Sequence, residues 1–304
     1  MNVVFMGTPD FALPCLERLA QKHKICGVFC QPDKPVGRKA VVTPPQVKIV
    51  AERLGIPVFQ PAKMRDGEAL DIVKKLAPEL IVVVAYGKIL PKEILDEPAY
   101  GCVNIHASLL PKYRGASPLQ HALLNGETVT GVTAMYMDEG LDTGDIIAQR
   151  EWRITDADDA NAMYERAAEE GFGLLLDVIG DIEDGGATRT PQNAAEASFA
   201  PPLTKDMGLF SFSDDASEIV NKVRGLCRWP VAYFMLDGKK IKVHRAAKSA
   251  KTGAPGAIVS TDPLTVAAGN GAVELLSVTP EGKKNMPGKD FCAGKRLKIG
   301  DRVL

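Results

Sequence analysis

The stretch Leu80-Ile81-Val82-Val83-Val84-Ala85 constrains this chain more than any other. It is apolar without interruption and β-branched from Ile81 to Val84, which favours an extended backbone over a helix. A strand with no polar residue on either face cannot border water. It has to lie inside a sheet covered by helices on both sides, as a central parallel strand does. The run is also far shorter than the roughly 20 residues needed to span a bilayer, and no membrane association is expected.

Strand and helix patterns alternate around it. Strands are expected at 3–6, 25–29, 58–59, 102–105 and 131–137. A helix is expected to start at Pro9, ahead of the apolar spacing Phe11, Leu13, Leu16 and Leu19, with further helices at 47–54, 69–76 and 161–182. This βαβ rhythm predicts an α/β fold with a doubly wound, mainly parallel, Rossmann-like sheet, whose ligands sit beyond the carboxyl ends of the strands. A length of 304 residues suits about two domains. Past residue 182 the composition turns to Gly, Pro, Ala and Thr, a linker pattern. A helix at 216–226 is then followed by short strands at 232–236, 241–244, 257–259, 264–267, 273–278 and 296–303. That pattern predicts a small OB-like β-barrel. The expected division is a catalytic domain at 1–184, a linker at 185–205 and a basic domain at 206–304.

Charge separates the two ends. The chain carries 37 basic and 38 acidic side chains, but from Asp206 onward there are 16 basic against 10 acidic. A basic last part behind an acidic first part points to a polyanion meeting the C-terminal region. Six cysteines are too few for a disulfide scaffold at this length. Cys26-x3-Cys30 lacks a second ligand pair, so no structural metal is expected. The N-terminus has no basic flank and no cleavage site of a signal peptide. Reduced thiols in a cytoplasmic protein are the expectation.

Common chemical signatures are missing. The first βα turn, Gly7-Thr8-Pro9-Asp10, is not the Gly-x-Gly-x-x-Gly of a dinucleotide site, and neither a Gly-x-Ser-x-Gly elbow nor a phosphate loop is present. The informative segment is Cys102-Val-Asn104-Ile-His106-Ala-Ser108-Leu-Leu-Pro111-Lys-Tyr-Arg114-Gly115. Asn104 and His106 are two apart at the end of a strand and share one face, while Val103 and Ile105 face the other way. A carboxamide beside an imidazole is a donor pair suited to a carbonyl oxygen that becomes an oxyanion. An acid is needed beside the imidazole. Asp142 is placed for it, but Asp138, Glu139 and Asp145 compete, and spacing does not choose. His23, His121 and His244 are expected to be structural or solvated.

These residues resemble a known family. Asn104-x-His106-x-Ser108-Leu109-Leu110-Pro111-x-Tyr113-Arg114-Gly115, with Gly140-Leu141-Asp142-Thr143-Gly144 downstream, is similar to the formyltransferases that use 10-formyltetrahydrofolate. The opening Gly7-Thr8-Pro9-Asp10-Phe11, the segment from Gln31 to Gly37-Arg38 and Val82-Val-Val-Ala-Tyr86-Gly87-x-Ile-Leu90-Pro91 extend the resemblance. With the basic C-terminal part, they point to the branch that acts on methionyl initiator tRNA. The resemblance implies that Asn104, His106 and Asp142 form a catalytic triad. It implies that Ser108, Leu109, Leu110 and Pro111 contact the folate, and that Lys88, Ile89, Leu90 and Leu141 wall the pterin pocket. It places Arg38 and Lys39 in a loop that enters the acceptor end of the tRNA. That loop carries less charge than the family often has, since Ala40-Val41-Val42 follows Lys39. Lys240, Lys242 and Arg245, in one basic strand, are expected to touch phosphate.

The implied chemistry needs no metal and no acyl-enzyme. Asn104 and a His106 N–H would donate to the developing oxyanion, and Asp142 would orient His106 and help to move the proton. A monomer is expected. The rival readings are the same transfer onto a sugar nucleotide or glycinamide ribonucleotide, hydrolysis of the formylfolate, and a non-catalytic RNA-binding protein.

Overall fold

A computed structural model describes residues 1–36 and 40–303, and the chain divides into two compact units. The first comprises residues 1–118, 129–152 and 164–200. The second comprises 119–128, 153–163 and 201–304.

The first unit is built on a seven-stranded sheet. In chain order its elements are β1 (Asn2–Gly7), α1 (Leu13–Lys22), β2 (Lys24–Phe29), the small hairpin β3 (Lys34–Val36) and β4 (Val41–Thr43), and α2 (Gln46–Arg53). Next come β5 (Val58–Phe59), α3 (Glu68–Leu76), β6 (Leu80–Val84), α4 (Lys92–Leu95), β7 (Cys102–His106), α5 (Pro118–Leu124, counted from residue 119 with the second unit), β8 (Val129–Tyr136), β9 (Ile146–Arg153) and α6 (Ala160–Glu183, counted up to residue 163 with the second unit). The sheet order is β5-β2-β1-β6-β7-β8-β9, parallel from β5 through β7, with β8 antiparallel to β7. The apolar run becomes β6 at the middle of this order, and its residues are buried throughout. Each such side chain contributes about 1.5–3 kcal/mol relative to exposure.

Two local expectations shift here. Pro9 caps a short 3-10 turn, and α1 starts only at Leu13, with Pro14 in its first turn where a missing N–H costs nothing. β9, beside β8, is a strand that no alternation announces: Glu151 and Arg153 are exposed, but its apolar residues Ile147 and Trp152 do not alternate strictly with them.

The second unit holds α7 (Ala216–Gly225), β10 (Tyr233–Leu236), β11 (Lys239–Ser249), β12 (Ile258–Thr261), β13 (Leu264–Ala267), β14 (Ala272–Pro280), β15 (Met286–Pro287) and α8 (Gly288–Lys295). Its antiparallel sheet runs β10-β11-β14-β13-β12, with β15 on β14. Asp237 and Gly238 both take positive φ, 51° and 71°, and close the two-residue hairpin from β10 to β11. The core gathers Phe210, Phe212 and Phe234, with ring centroids 5.1–5.7 Å apart, around Ile219, Val243, Leu275 and Phe291. The expected strand at 296–303 does not form. α8 ends at Arg296 in the left-handed region, and Asp301 accepts the Lys298 N–H in a turn. Arg302 bridges to Ala257, and Gly300, Asp301 and Val303 share backbone hydrogen bonds with Gly256 and Ile258. Residues 153–163 join this unit through polar contacts with and just beyond α7: Arg224 donates to the Thr155 carbonyl, and Asn161 donates to Cys227 Sγ.

Candidate active site

β7 lies between β6 and β8, with Asn104 opposite Val83 and Met135 and with His106 opposite Thr133. Val103 and Ile105 fill the other face. There a Cβ on Gly171 of α6 would come within 2.9 Å of Ile105, so glycine lets the helix lie close. Asn104 and His106 are only 8% and 6% exposed. The Asn104 carboxamide has no hydrogen-bond partner among the described residues. Its polar atoms are not among those shut off from solvent, so the carboxamide can donate outward without breaking a protein hydrogen bond.

The loop after β7 is pinned from several sides. Thr133 Oγ1 donates to the Ser108 carbonyl at 2.6 Å and accepts the Leu110 N–H, while Gln149 donates to both the Leu110 carbonyl and Thr133 Oγ1. Ser108 Oγ donates to the Lys112 carbonyl. This folds the loop back so that His106 Nε2 lies 2.9 Å from the Tyr113 carbonyl. A carbonyl only accepts, so Nε2 carries the proton, and Nδ1 is the nitrogen left for chemistry. It faces Asp142 Oδ1 at 3.6 Å. Asp142 Oδ2 accepts the Gly115 N–H at 2.8 Å. An N–H from neutral His106 toward an oxyanion is therefore not available at Nε2 while Tyr113 holds it.

The structure separates the four acids that spacing left equal. Asp138 is used up in its own turn, accepting the Gly140 N–H and the Thr143 hydroxyl. Asp145 faces Arg189 at 3.8 Å, and Glu139 lines a cavity. Asp142 alone of the four is brought to His106.

The expected folate residues are scattered in character. Ser108 and Leu110 are buried; Leu109 and Pro111 are half-buried. Lys88 donates to the Pro61 and Ala62 carbonyls, and burial pushes its ammonium below the ordinary lysine range. Leu90 is buried, whereas Ile89 and Leu141 are 60% and 55% exposed, apolar surface on the loops after β6 and β8. An open cleft of about 610 Å³ lies beside Leu90, lined also by Met64, Arg65, Leu70, Lys92, Glu93 and Glu139. Among the described residues no three His, Cys, Asp or Glu side chains are grouped to hold a metal.

Arg38 and Lys39 lie outside the described residues. In the second unit, Lys242 and Arg245 are exposed and have no ion-pair partner among the described residues. Lys240 is half-buried with its ammonium 3.7 Å from the centre of the Tyr233 ring. A bulge between Val243 and Ala246 breaks the alternation of β11, so Lys242 and Arg245 are both exposed although three apart.

Sequence reasoning missed Thr133, Gln149 and Gln192. Gln192 lies in the stretch expected to be a linker, yet this segment is fastened to the first unit. Thr190 bridges Ile146, Gln192 bonds Arg114, and Ser198 and Ala200 exchange backbone bonds with Arg114. No periodicity or turn signal marks these residues.

Residues 1–179 match the family model described as Formyl transferase, and residues 202–296 match Formyl transferase, C-terminal domain. A methionyl-tRNA formyltransferase of Citrifermentans bemidjiense is 46% identical over 303 residues, covering 99% of this chain and 95% of that protein. One of Macrococcus caseolyticus is 44% identical over 300 residues, covering 98% and 97%. Among solved structures, the N-formyltransferase from Helicobacter canadensis in complex with folinic acid and dTDP-3-aminofucose superposes with a TM-score of 0.70. It is 19% identical and covers 90% of this chain and 98% of that one. HypX from Aquifex aeolicus in complex with tetrahydrofolic acid gives 0.64 at 18% identity, covering 98% of this chain, which spans about half of HypX. At those identities the solved structures share the fold.

Proposed function

The chain belongs to the formyl transferase family, and from that premise we propose that it transfers a formyl group from 10-formyltetrahydrofolate to the amino group of methionyl initiator tRNA. The observation that carries this reading is the buried, unpartnered Asn104 carboxamide on the same strand face as a His106 ring set between Tyr113 and Asp142. The acceptor follows from the full-length relatives and from the basic second unit, which a small sugar acceptor would not need.

The donor supplies a formamide-like bond whose nitrogen leaves as the amine attacks. Asn104 is fixed on a strand and makes no protein hydrogen bond, so its N–H groups can meet charge developing on the formyl oxygen with little reorganisation. His106 Nδ1 accepts the proton of the attacking amine. Asp142, 3.6 Å away, stabilises the imidazolium and keeps the ring in place until the proton passes to the leaving nitrogen. A cysteine nucleophile is disfavoured: on the same strand, burial pushes the Cys102 thiol up to about 12. Ser108, Leu109, Leu110 and Pro111 would shape the donor's side of the site, with Lys88, Ile89, Leu90 and Leu141 around the pterin. Arg38, Lys39, Lys240, Lys242 and Arg245 would meet tRNA phosphates. The proposed domains remain a catalytic part at 1–184, a connector at 185–205 and a tRNA-binding part from 206 onward. The same reading makes the protein a cytoplasmic monomer. Among the described residues, no helix is long and apolar enough to cross a membrane.

The test is to incubate the protein with 10-formyltetrahydrofolate and methionyl initiator tRNA and to recover the methionine. Formyl on its amino group is the expected result. Formyl transfer only to a dTDP-linked amino sugar, or release of formate with no acceptor, would overturn the proposal.

A further inference from the structure

Gln192 commits its whole side chain to the site. Its Oε1 accepts from Arg114 Nε at 3.1 Å and from Arg114 Nη2 at 2.7 Å. Its Nε2 donates to the Asp142 carbonyl at 2.9 Å and to the Gly144 carbonyl at 2.8 Å. Both acceptor positions and both donor hydrogens of the carboxamide are therefore used. Arg114 is 6% exposed and has no carboxylate partner among the described residues, so a buried guanidinium depends on this amide.

Asp142 needs such support. It is a non-glycine residue at φ 53°, in the left-handed region, which costs about 1–2 kcal/mol unless its surroundings hold it there. Its carboxylate is held by the Gly115 N–H and its carbonyl by Gln192. The next turn is equally constrained, since a Cβ on Gly144 would lie 1.8 Å from the Tyr136 carbonyl. The segment carrying Gln192 is fixed at both ends. Thr190 exchanges backbone bonds with Ile146 at 2.8 and 2.9 Å. Ser198 accepts the Tyr113 N–H on its hydroxyl and the Arg114 N–H on its carbonyl. Arg189 lies 3.6 Å over the Tyr136 ring. Gln192 thus ties the loop holding Gly115 to the loop holding Asp142.

We infer that Gln192 is a positioning residue for formyl transfer, setting the backbone of Asp142 and so the aim of its carboxylate at His106. The inference rests on the role proposed above for Asp142. A merely structural glutamine would affect folding and leave the chemical step alone.

The experiment is single-turnover and steady-state formylation with Gln192→Ala and Gln192→Glu, each alone and combined with Asp142→Asn. Gln192→Ala is expected to lower kcat on the order of 10²-fold, as for a slightly misplaced catalytic group, with both KM values within about threefold. Gln192→Glu keeps the acceptor for Arg114 but cannot donate to the two carbonyls, so it should fall nearly as far. In the Asp142→Asn background the Gln192→Ala change should add no further loss, because the residue acts through Asp142. Losses that multiply in the double variant would overturn the inference, as would a kcat within about threefold of the parent. Should Gln192→Ala fail to fold, a folded Gln192→Glu with full kcat overturns it equally. If the parent protein formylates nothing, that failure belongs to the functional reading. Amide hydrogen exchange over 142–145 then decides: faster exchange in the Gln192 variants supports the inference and unchanged exchange overturns it.

Discussion

The loops after β7 and β8 and the outer face of β11 treat polar groups in opposite ways. In and beside the loops, Ser108 and Arg114, with His106 at the end of β7 and Thr133 on β8, are buried and each is fixed by hydrogen bonds. On β11, Lys242 and Arg245 stand in water with no partner among the described residues. On the proposed reading, the contrast follows from what each would recognise. Reacting atoms must be met within a fraction of an ångström, and a dry, fixed donor costs no reorganisation there. A phosphate backbone needs only accessible positive charge, and salt screens that attraction. Asn104 breaks the pattern of its own region. It lies on a buried strand and makes no hydrogen bond among the described residues, which is why the proposal gives it to the ligand.

The comparison breaks most easily at Asp142. Asp142→Asn should keep the fold and folate binding while kcat falls about 10²–10⁴-fold, since the amide can no longer stabilise a charged His106. Steady-state kinetics beside a melting curve would check this. A variant that keeps more than about a tenth of the parent kcat, a barrier change under ~1.4 kcal/mol, would make the loop network structural.

A smaller effect is expected from the exposed side. Lys242→Ala with Arg245→Ala should raise KM for tRNA and leave KM for folate and the chemical step alone. Each lost phosphate contact should flatten the slope of log K against log salt by about 0.7–0.9. Titrating tRNA binding against salt measures this directly. An unchanged slope would assign the two charges to solubility.

The smallest effect sharpens the comparison through pH. His244 lies below the ordinary histidine value of 6.5, chiefly because burial penalises its charge and secondarily because Lys242 repels it. His23, in the first unit, is lowered by burial too. In both cases the unfolded chain binds a proton that the folded unit disfavours. Stability should therefore rise with pH between the folded value and 6.5, and stay flat above. Melting temperatures across pH 5 to 8 should show this rise, and His244→Gln should remove only the part that belongs to the second unit. A rise unchanged in that variant would place its source elsewhere.

The legible parts of the fold are those where one strong local pattern decides. The hairpin at Asp237-Gly238 and the helix α7, with its Asp215 and Glu218 capping box, are local in this sense. The strand expected at 296–303 is cut short by the turn at Lys298 to Asp301, where the Asp301 side chain takes the Lys298 N–H, so that only 300–303 pair with the backbone at 256–258. The linker reading of 185–205 followed composition. Composition does not show that Thr190, Gln192 and Ser198 find partners on loops far away in the chain.

What the sequence determined by itself rests on short-range rules. Six apolar residues at 80–85 had to form a covered strand, and a spacing of two put Asn104 and His106 on one face. What only the tertiary structure decided rests on distance. Asp142 was chosen over Asp138, Glu139 and Asp145 because the Gly115 N–H, 27 residues away, takes its carboxylate. The proton on His106 went to Nε2 because the loop returns the Tyr113 carbonyl to it. Gln192 reached Arg114 across 78 residues. Hydrogen bonds between loops follow no period along the chain, so their partners become visible only once the sheet has brought the loops together.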